Sequence, residues 1–162
     1  VNRFRAEHPR FELQALTVDN LPAAQHMVGE WYRARMQADP AGDYMLESIA
    51  MSRAFRHYEG LKMESAVLLE DGEILALTMG SRLWSDTFDI HFEKAREDVE
   101  GAYAAINSEF ARYLRLKYPE LRYLNREDDV GLAGLRKAKL SYNPHRMVEK
   151  SWAYLAEDFH GD

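Results

Sequence analysis

The chain has 162 residues, 46% of them hydrophobic and 30% charged, with a formal net charge of −6. That length is enough for one ordinary domain with a core of its own, and the acidic balance excludes a bulk nucleic-acid coat. With no cysteine, a disulfide framework, a thiolate zinc site, an iron–sulfur centre and a cysteine nucleophile are excluded together.

The apolar stretches, Ala66–Leu69 and Ile74–Met79 among them, fall far below the roughly 20 residues of a membrane span. The opening Val1-Asn2-Arg3-Phe4-Arg5 lacks the apolar centre of a signal peptide, so a cytoplasmic location is expected. Residues 1–10 read as a linker or residual interdomain segment, residues 11–156 as one domain and residues 157–162 as a tail.

Phe11–Leu16 alternates apolar and polar residues, which predicts a half-buried strand. Thr17-Val18-Asp19-Asn20-Leu21-Pro22 supplies capping residues and an early proline, and Met27, Val28, Trp31 and Tyr32 follow at helical spacing to about Arg35. After the turn at Pro40-Ala41-Gly42, Asp43 opens a second expected helix that runs to about Tyr58, with Gly60 ending it. Met63–Leu69 and Ile74–Leu83 are strands joined by Asp71-Gly72, a strong hairpin signal. Thr87–Glu93 alternates strictly enough for a third strand of this meander. A long helix is predicted from Glu100 to Tyr118, with Tyr103, Ile106, Phe110, Tyr113, Leu114 and Leu116 on its apolar face, and Pro119 stops it. A short strand at Leu121–Leu124, a short helix at Leu132–Leu140 and a last strand at Val148–Leu155 complete the chain.

The order β-α-α-β-β-β-α-β-α-β joins an antiparallel meander to a βαβαβ tail, which predicts an α+β domain with a mixed sheet. It is similar to the N-acyltransferase (GNAT) fold of acetyl-CoA-dependent acetyltransferases. In that fold a Gln/Arg-x-x-Gly-x-Gly/Ala loop before the long helix cradles the coenzyme pyrophosphate. The corresponding run here is Arg96-Glu97-Asp98-Val99-Glu100-Gly101-Ala102. Gly101 and Ala102, with Asn107 farther along the helix, are the cofactor-binding candidates. Val99 stands at the first glycine position, and Glu97, Asp98 and Glu100 bring three carboxylates to where a pyrophosphate would lie. Acidic residues there also suit the helix dipole. Coenzyme A binding is not supported by this loop.

Two further runs concentrate polar residues. Asn125-Arg126-Glu127-Asp128-Asp129 follows a strand, where sites are often built, although four successive charges also describe a solvated loop. Arg136 and Lys139 share one face of the next helix and form the dense cationic spot of an acidic chain. His91 and Glu93, two apart on a strand, are expected to project from one face. Either could serve as a general base, although a satisfied pair on an internal strand is the commoner arrangement. Cysteine ligands are missing, and the other five histidines are not usefully spaced for a facial site, so no metal is expected. Nucleophile-elbow, P-loop and dinucleotide motifs are absent.

The runs Phe88–Ala95, Glu100–Asn107, Tyr123–Asp129 and Gly134–Pro144 together resemble a bacterial family of uncharacterised proteins catalogued with the C-terminal domain of phosphatidylglycerol lysyltransferases. The resemblance covers about Phe11 to Leu155. It implies a second acyltransferase-like domain in the same protein, and a relation to enzymes that move an aminoacyl group from aminoacyl-tRNA to an amine or hydroxyl. Their Phe-Lys-x-x-Phe-Asn-Pro motif is similar to Ala138-Lys139-Leu140-Ser141-Tyr142-Asn143-Pro144, with alanine at the first aromatic position. The resemblance places Lys139 at the oxyanion of the tetrahedral intermediate and Asp128 or Asp129 at the nucleophilic amine. Arg126, Asn125, Arg136, Tyr142, His91 and Glu93 would then surround donor or acceptor. Aminoacyl-tRNA or acyl-CoA is the implied donor, and a small amine or other acyl acceptor the implied partner. An ordinary acetyltransferase and a non-catalytic, ligand-binding half of a tandem protein are the alternative readings.

Overall fold

A computed structural model describes residues 1–127, 131, 133–149 and 151. Two compact units divide the chain, Val1–Glu127 and Asp128–Asp162. The elements of the first are α1 (Asn2–Glu7), β1 (Glu12–Ala15), α2 (Leu21–Ala38), α3 (Met45–Arg56), α4 (Tyr58–Leu61), β2 (Glu64–Glu70), β3 (Glu73–Arg82), β4 (Thr87–Ala95), α5 (Ala102–Lys117) and β5 (Tyr123–Asn125). The second carries α6 (Ala133–Leu140). The expected last strand, Val148–Leu155, falls largely outside the described residues.

The sheet order is β1-β2-β3-β4-β5. The first four strands pair antiparallel and β5 joins β4 parallel. At the β2–β3 hairpin, Asp71 (φ 52°) and Gly72 (φ 84°) both take left-handed backbone, as the Asp-Gly signal requires. Asn20 precedes α2, but its side chain turns back on the loop. Its Oδ1 accepts from the Thr17 amide at 2.8 Å and its Nδ2 donates to the Ala15 carbonyl at 3.0 Å. Gly60 lies inside α4 and does not end it; Lys62, at φ 49°, supplies the left-handed cap.

Helices cover both faces of the sheet. On one, Met27, Val28 and Tyr32 of α2 and Met51, Ala54 and Phe55 of α3 pack on Val67, Leu77 and Met79. On the other, Ala105 and Ile106 of α5 meet Leu68, Ala76 and Ala95, while Phe110 and Leu114 meet Phe88 and Ile90. Leu116 is 84% exposed and does not belong to the apolar face expected of α5. Residues 1–10, expected as a linker or interdomain segment, are part of the first unit: α1 buries Phe4, sets it edge to face with Phe11 at 5.1 Å and places it in the α5 core cluster.

One polar cluster fastens β2 to α5. Glu64 accepts from the Tyr113 hydroxyl at 3.0 Å, from Lys117 Nζ at 2.7 Å and from the Tyr118 hydroxyl. Desolvation pushes its carboxyl up, but these three donors outweigh burial and hold it below the usual carboxylate range. A depressed folded-state pKa contributes stability that is complete above the unfolded value and is lost as pH falls through the folded one. Glu64→Gln is therefore expected to cost about 1–2 kcal/mol at neutral pH. The deficit against the parent protein should shrink below roughly pH 4.5. Urea denaturation at the two pH values checks this, and a deficit constant with pH would contradict it.

Candidate active site

The site lies where β4 and β5 part. Their parallel ladder pairs Thr87 with Tyr123, Phe88 with Leu124 and Asp89 with Asn125, and stops there. β4 runs on to Ala95, so its second half has no β5 neighbour and an opening forms between the strands.

β4 is bulged at this point. Gly80 of β3 faces Ile90 and Met79 faces Phe92, which leaves His91 as the extra residue. The bulge reverses the alternation. Phe88 and Ile90 pack on α5, but Phe92 packs in the α2–α3 cluster and Ala95 returns to α5. His91 and Glu93 consequently do not share a surrounding, contrary to the spacing argument. The close approach at the bulge requires Gly80, because a Cβ there would stand 2.2 Å from the Asp89 carbonyl oxygen.

Around His91, Nε2 meets Ser81 Oγ at 2.8 Å, while Nδ1 lies 3.3 Å from Glu127 Oε1 and 3.7 Å from Asp89 Oδ2. Asn125 Nδ2 donates to the other Asp89 oxygen, Oδ1, at 2.9 Å. Around Glu93, Arg126 donates to Oε1 at 2.7 Å, and Asn107 of α5 stands beside the same carboxylate. Only 6% of the Glu93 side chain is exposed. Burial pushes its pKa up, and Arg126 and Asn107 offset part of that. The successive residues Arg126 and Glu127 thus reach two different groups on β4.

Five of the predicted site residues fall at this parting in two groups, His91 and Asn125 about Asp89, and Asn107 and Arg126 about Glu93. Asn107, predicted for the cofactor, sits with the carboxylate of Glu93. Ser81, Asp89 and Glu127 were not singled out. Asp89 was visible two residues before His91 on the same strand, and Glu127 within the charged run after β5. Ser81 carried no signal of its own.

Gly101 and Ala102 lie elsewhere. Gly101, at φ 83°, begins α5, and a Cβ on it would touch Phe4 Cβ at 3.3 Å. Ala102 is buried in the cluster that contains Phe4. Glu97 pairs with Arg35, Asp98 with Arg96 and Glu100 with Arg3. The carboxylates of the loop are therefore matched by the protein's own cations, and the start of α5 is covered by an aromatic ring.

In the second unit, Arg136 and Lys139 stand three residues apart on α6. The helix closes through Asn143 N–H to Leu140 O at 3.0 Å, with Asn143 left-handed at φ 50° before Pro144. Tyr142 lies in this closing turn. Asp128 and Asp129 lie outside the described residues.

No helix among the described residues is long and apolar enough to cross a membrane. No curated protein matches the chain. Among solved structures, a conserved protein of unknown function from Bacteroides thetaiotaomicron VPI-5482 is 37% identical, with a TM-score of 0.82 over 90% of this chain and 48% of that one. The chain thus spans about half the length of that relative. A possible acetyltransferase from Clostridium difficile 630 matches at 12% identity and a TM-score of 0.63, covering 90% of this chain and 97% of that one. An aminoglycoside N-acetyltransferase bound to the bisubstrate analogue CoA-S-monomethyl-acetylneamine matches at 9% identity and 0.58, over 91% and 98%. At such identities the likeness concerns the fold, which is that of the GNAT N-acetyltransferases. The profile of the phosphatidylglycerol lysyltransferase C-terminal family matches residues 1–154, and the chain belongs to that family.

Proposed function

We propose that the chain is an acyltransferase domain that moves an aminoacyl group from an ester donor to an amine or hydroxyl acceptor. The observation that carries this reading is the parting of β4 and β5 beside a buried carboxylate. The unpaired edge of β4 beyond Asp89 can receive an extended donor, and Glu93 belongs to the same strand segment. Family membership supports acyl transfer as the reaction class. The α5 start favours an aminoacyl ester over coenzyme A, since a pyrophosphate would meet Phe4 and the carboxylates of Glu97, Asp98 and Glu100.

In the reaction, the acceptor nitrogen or oxygen forms a bond to the ester carbonyl carbon as the bond from that carbon to the donor oxygen breaks. Glu93 takes the proton lost by the acceptor and passes it to the departing donor oxygen. A carboxylate raised by burial is a stronger base than one in water, which suits this work. Arg126 and Asn107 hold it in place. From the resemblance alone, Lys139 is the proposed oxyanion partner, Asp128 or Asp129 the proposed partner of the amine, and Arg136 and Tyr142 the proposed donor contacts.

The test supplies labelled aminoacyl-tRNA or labelled acetyl-CoA with a panel of small amines and alcohols. Aminoacyl transfer is expected to exceed acetyl transfer at least tenfold. Glu93→Gln should lower kcat about 100-fold with little change in KM. Transfer from acetyl-CoA alone would replace this reading with that of an ordinary acetyltransferase. No transfer from either donor would leave a ligand-binding module.

A further inference from the structure

Asp89 Oδ2, His91 Nδ1 and Glu127 present one ligand atom each, all within 4.8 Å of one another. We propose that these three residues bind a divalent ion of the zinc class at the edge of the β4–β5 opening. The donor set of one imidazole nitrogen and two carboxylate oxygens suits such borderline ions better than magnesium or calcium, which prefer oxygen alone.

Geometry and surroundings both support the site. Ligands about 2.1 Å from a common ion stand roughly 3–3.5 Å apart. The His91–Glu127 and His91–Asp89 separations of 3.3 and 3.7 Å are close to that. The Glu127 side chain is 47% exposed and has room to close any wider gap. Each strand-borne ligand is oriented from outside the trio. Ser81 Oγ holds His91 Nε2 at 2.8 Å, so that Nδ1 is the ring nitrogen turned to the two carboxylates, and Asn125 donates to Oδ1 of Asp89 so that Oδ2 faces inward. Such partners fix the tautomer and position of metal ligands. The bulge produces this convergence by bringing His91 toward Ser81 and Asp89.

The spacing rule looked for a second histidine, whereas the fold supplies carboxylates from β4 and from just beyond β5. Three protein ligands leave coordination positions open for an oxygen or nitrogen of a bound molecule. The inference does not depend on the transferase reading, since binding is measured with metal alone.

The experiment titrates the whole chain with Zn²⁺ by calorimetry and with Co²⁺ by visible absorption. One saturable ion per chain is expected. His91→Ala and Glu127→Gln should each weaken it at least tenfold, and Ser81→Ala several-fold. Glu127→Gln alters a half-exposed side chain, so it reports on the site even where His91→Ala disturbs β4. His26 and Glu30, an exposed pair 3.8 Å apart on α2, offer the competing adventitious site. His26→Ala should leave the titration unchanged. Absence of a one-to-one titration, or a titration abolished by His26→Ala and indifferent to Glu127→Gln, would overturn the proposal.

Discussion

Arg126→Ala is expected to destabilise the protein by about 3 kcal/mol at pH 8, within the range for removing one partner of a buried ion pair. Its NH2 group is 2.7 Å from a Glu93 oxygen in a place that admits almost no water. Without it, burial acts on the carboxylate with less opposition, and the Glu93 pKa climbs further above the ordinary range. A raised folded-state pKa means that the native protein holds its proton longer than the unfolded chain does. Stability then falls as pH rises from the unfolded value through the folded one. The variant should therefore lose less at pH 5 than at pH 8. Adding Glu93→Gln to Arg126→Ala should recover part of the loss at pH 8. Chemical denaturation of the single and double variants at both pH values makes the comparison. An equal deficit at both would show that Arg126 acts on stability through groups other than Glu93.

Gly80→Ala is the second large effect, with about 3 kcal/mol expected from overpacking. The added carbon would lie 2.2 Å from the Asp89 carbonyl oxygen and 2.5 Å from Phe88 Cε1. The first is main chain of the neighbouring strand and cannot swing away. Relief requires β3 and β4 to separate at the bulge, where Ser81, Asp89 and His91 are brought together. Gly29→Ala is the matching control. It lies within α2 with nothing within 4 Å of the added carbon, and should gain about 0.5–1 kcal/mol from helix propensity and reduced unfolded-state freedom. Thermal and urea unfolding of the two variants should move in opposite directions. A Gly80→Ala protein as stable as the parent would mean that the strands pass each other with more slack than these distances allow.

Much of the architecture was legible because each element announces itself locally. Asp71-Gly72 dictates a tight hairpin, Met27, Val28, Trp31 and Tyr32 mark a helical face, and Pro119 closes the long helix. The bulge at His91 was not legible. Phe88-Asp89-Ile90-His91-Phe92-Glu93 reads as uninterrupted alternation because both faces of the sheet accept aromatic and aliphatic side chains. Nothing in the pattern reveals that the two faces have exchanged. The pairing of Arg126 with Glu93 and of Glu127 with His91 depends on that exchange and on the end of the β5 ladder. The helix at residues 2–7 was hidden by its charge: only Phe4 is buried in it, and one aromatic residue among basic neighbours gives no period. Lys94 was hidden too. Its ammonium is enclosed by the Trp31 ring at 3.9 Å and Glu47 at 2.7 Å, and strand spacing alone would have sent it to solvent.

A strand that changes sides midway contributes to both halves of the hydrophobic interior. β4 sends Phe88 and Ile90 into the layer beneath α5, and Phe92 into the layer beneath α2 and α3. Neither layer can come apart without withdrawing support from a strand that the other needs. The Val1–Glu127 unit is thereby tied into a single cooperative transition, in which local opening of one helical layer carries much of the cost of losing both.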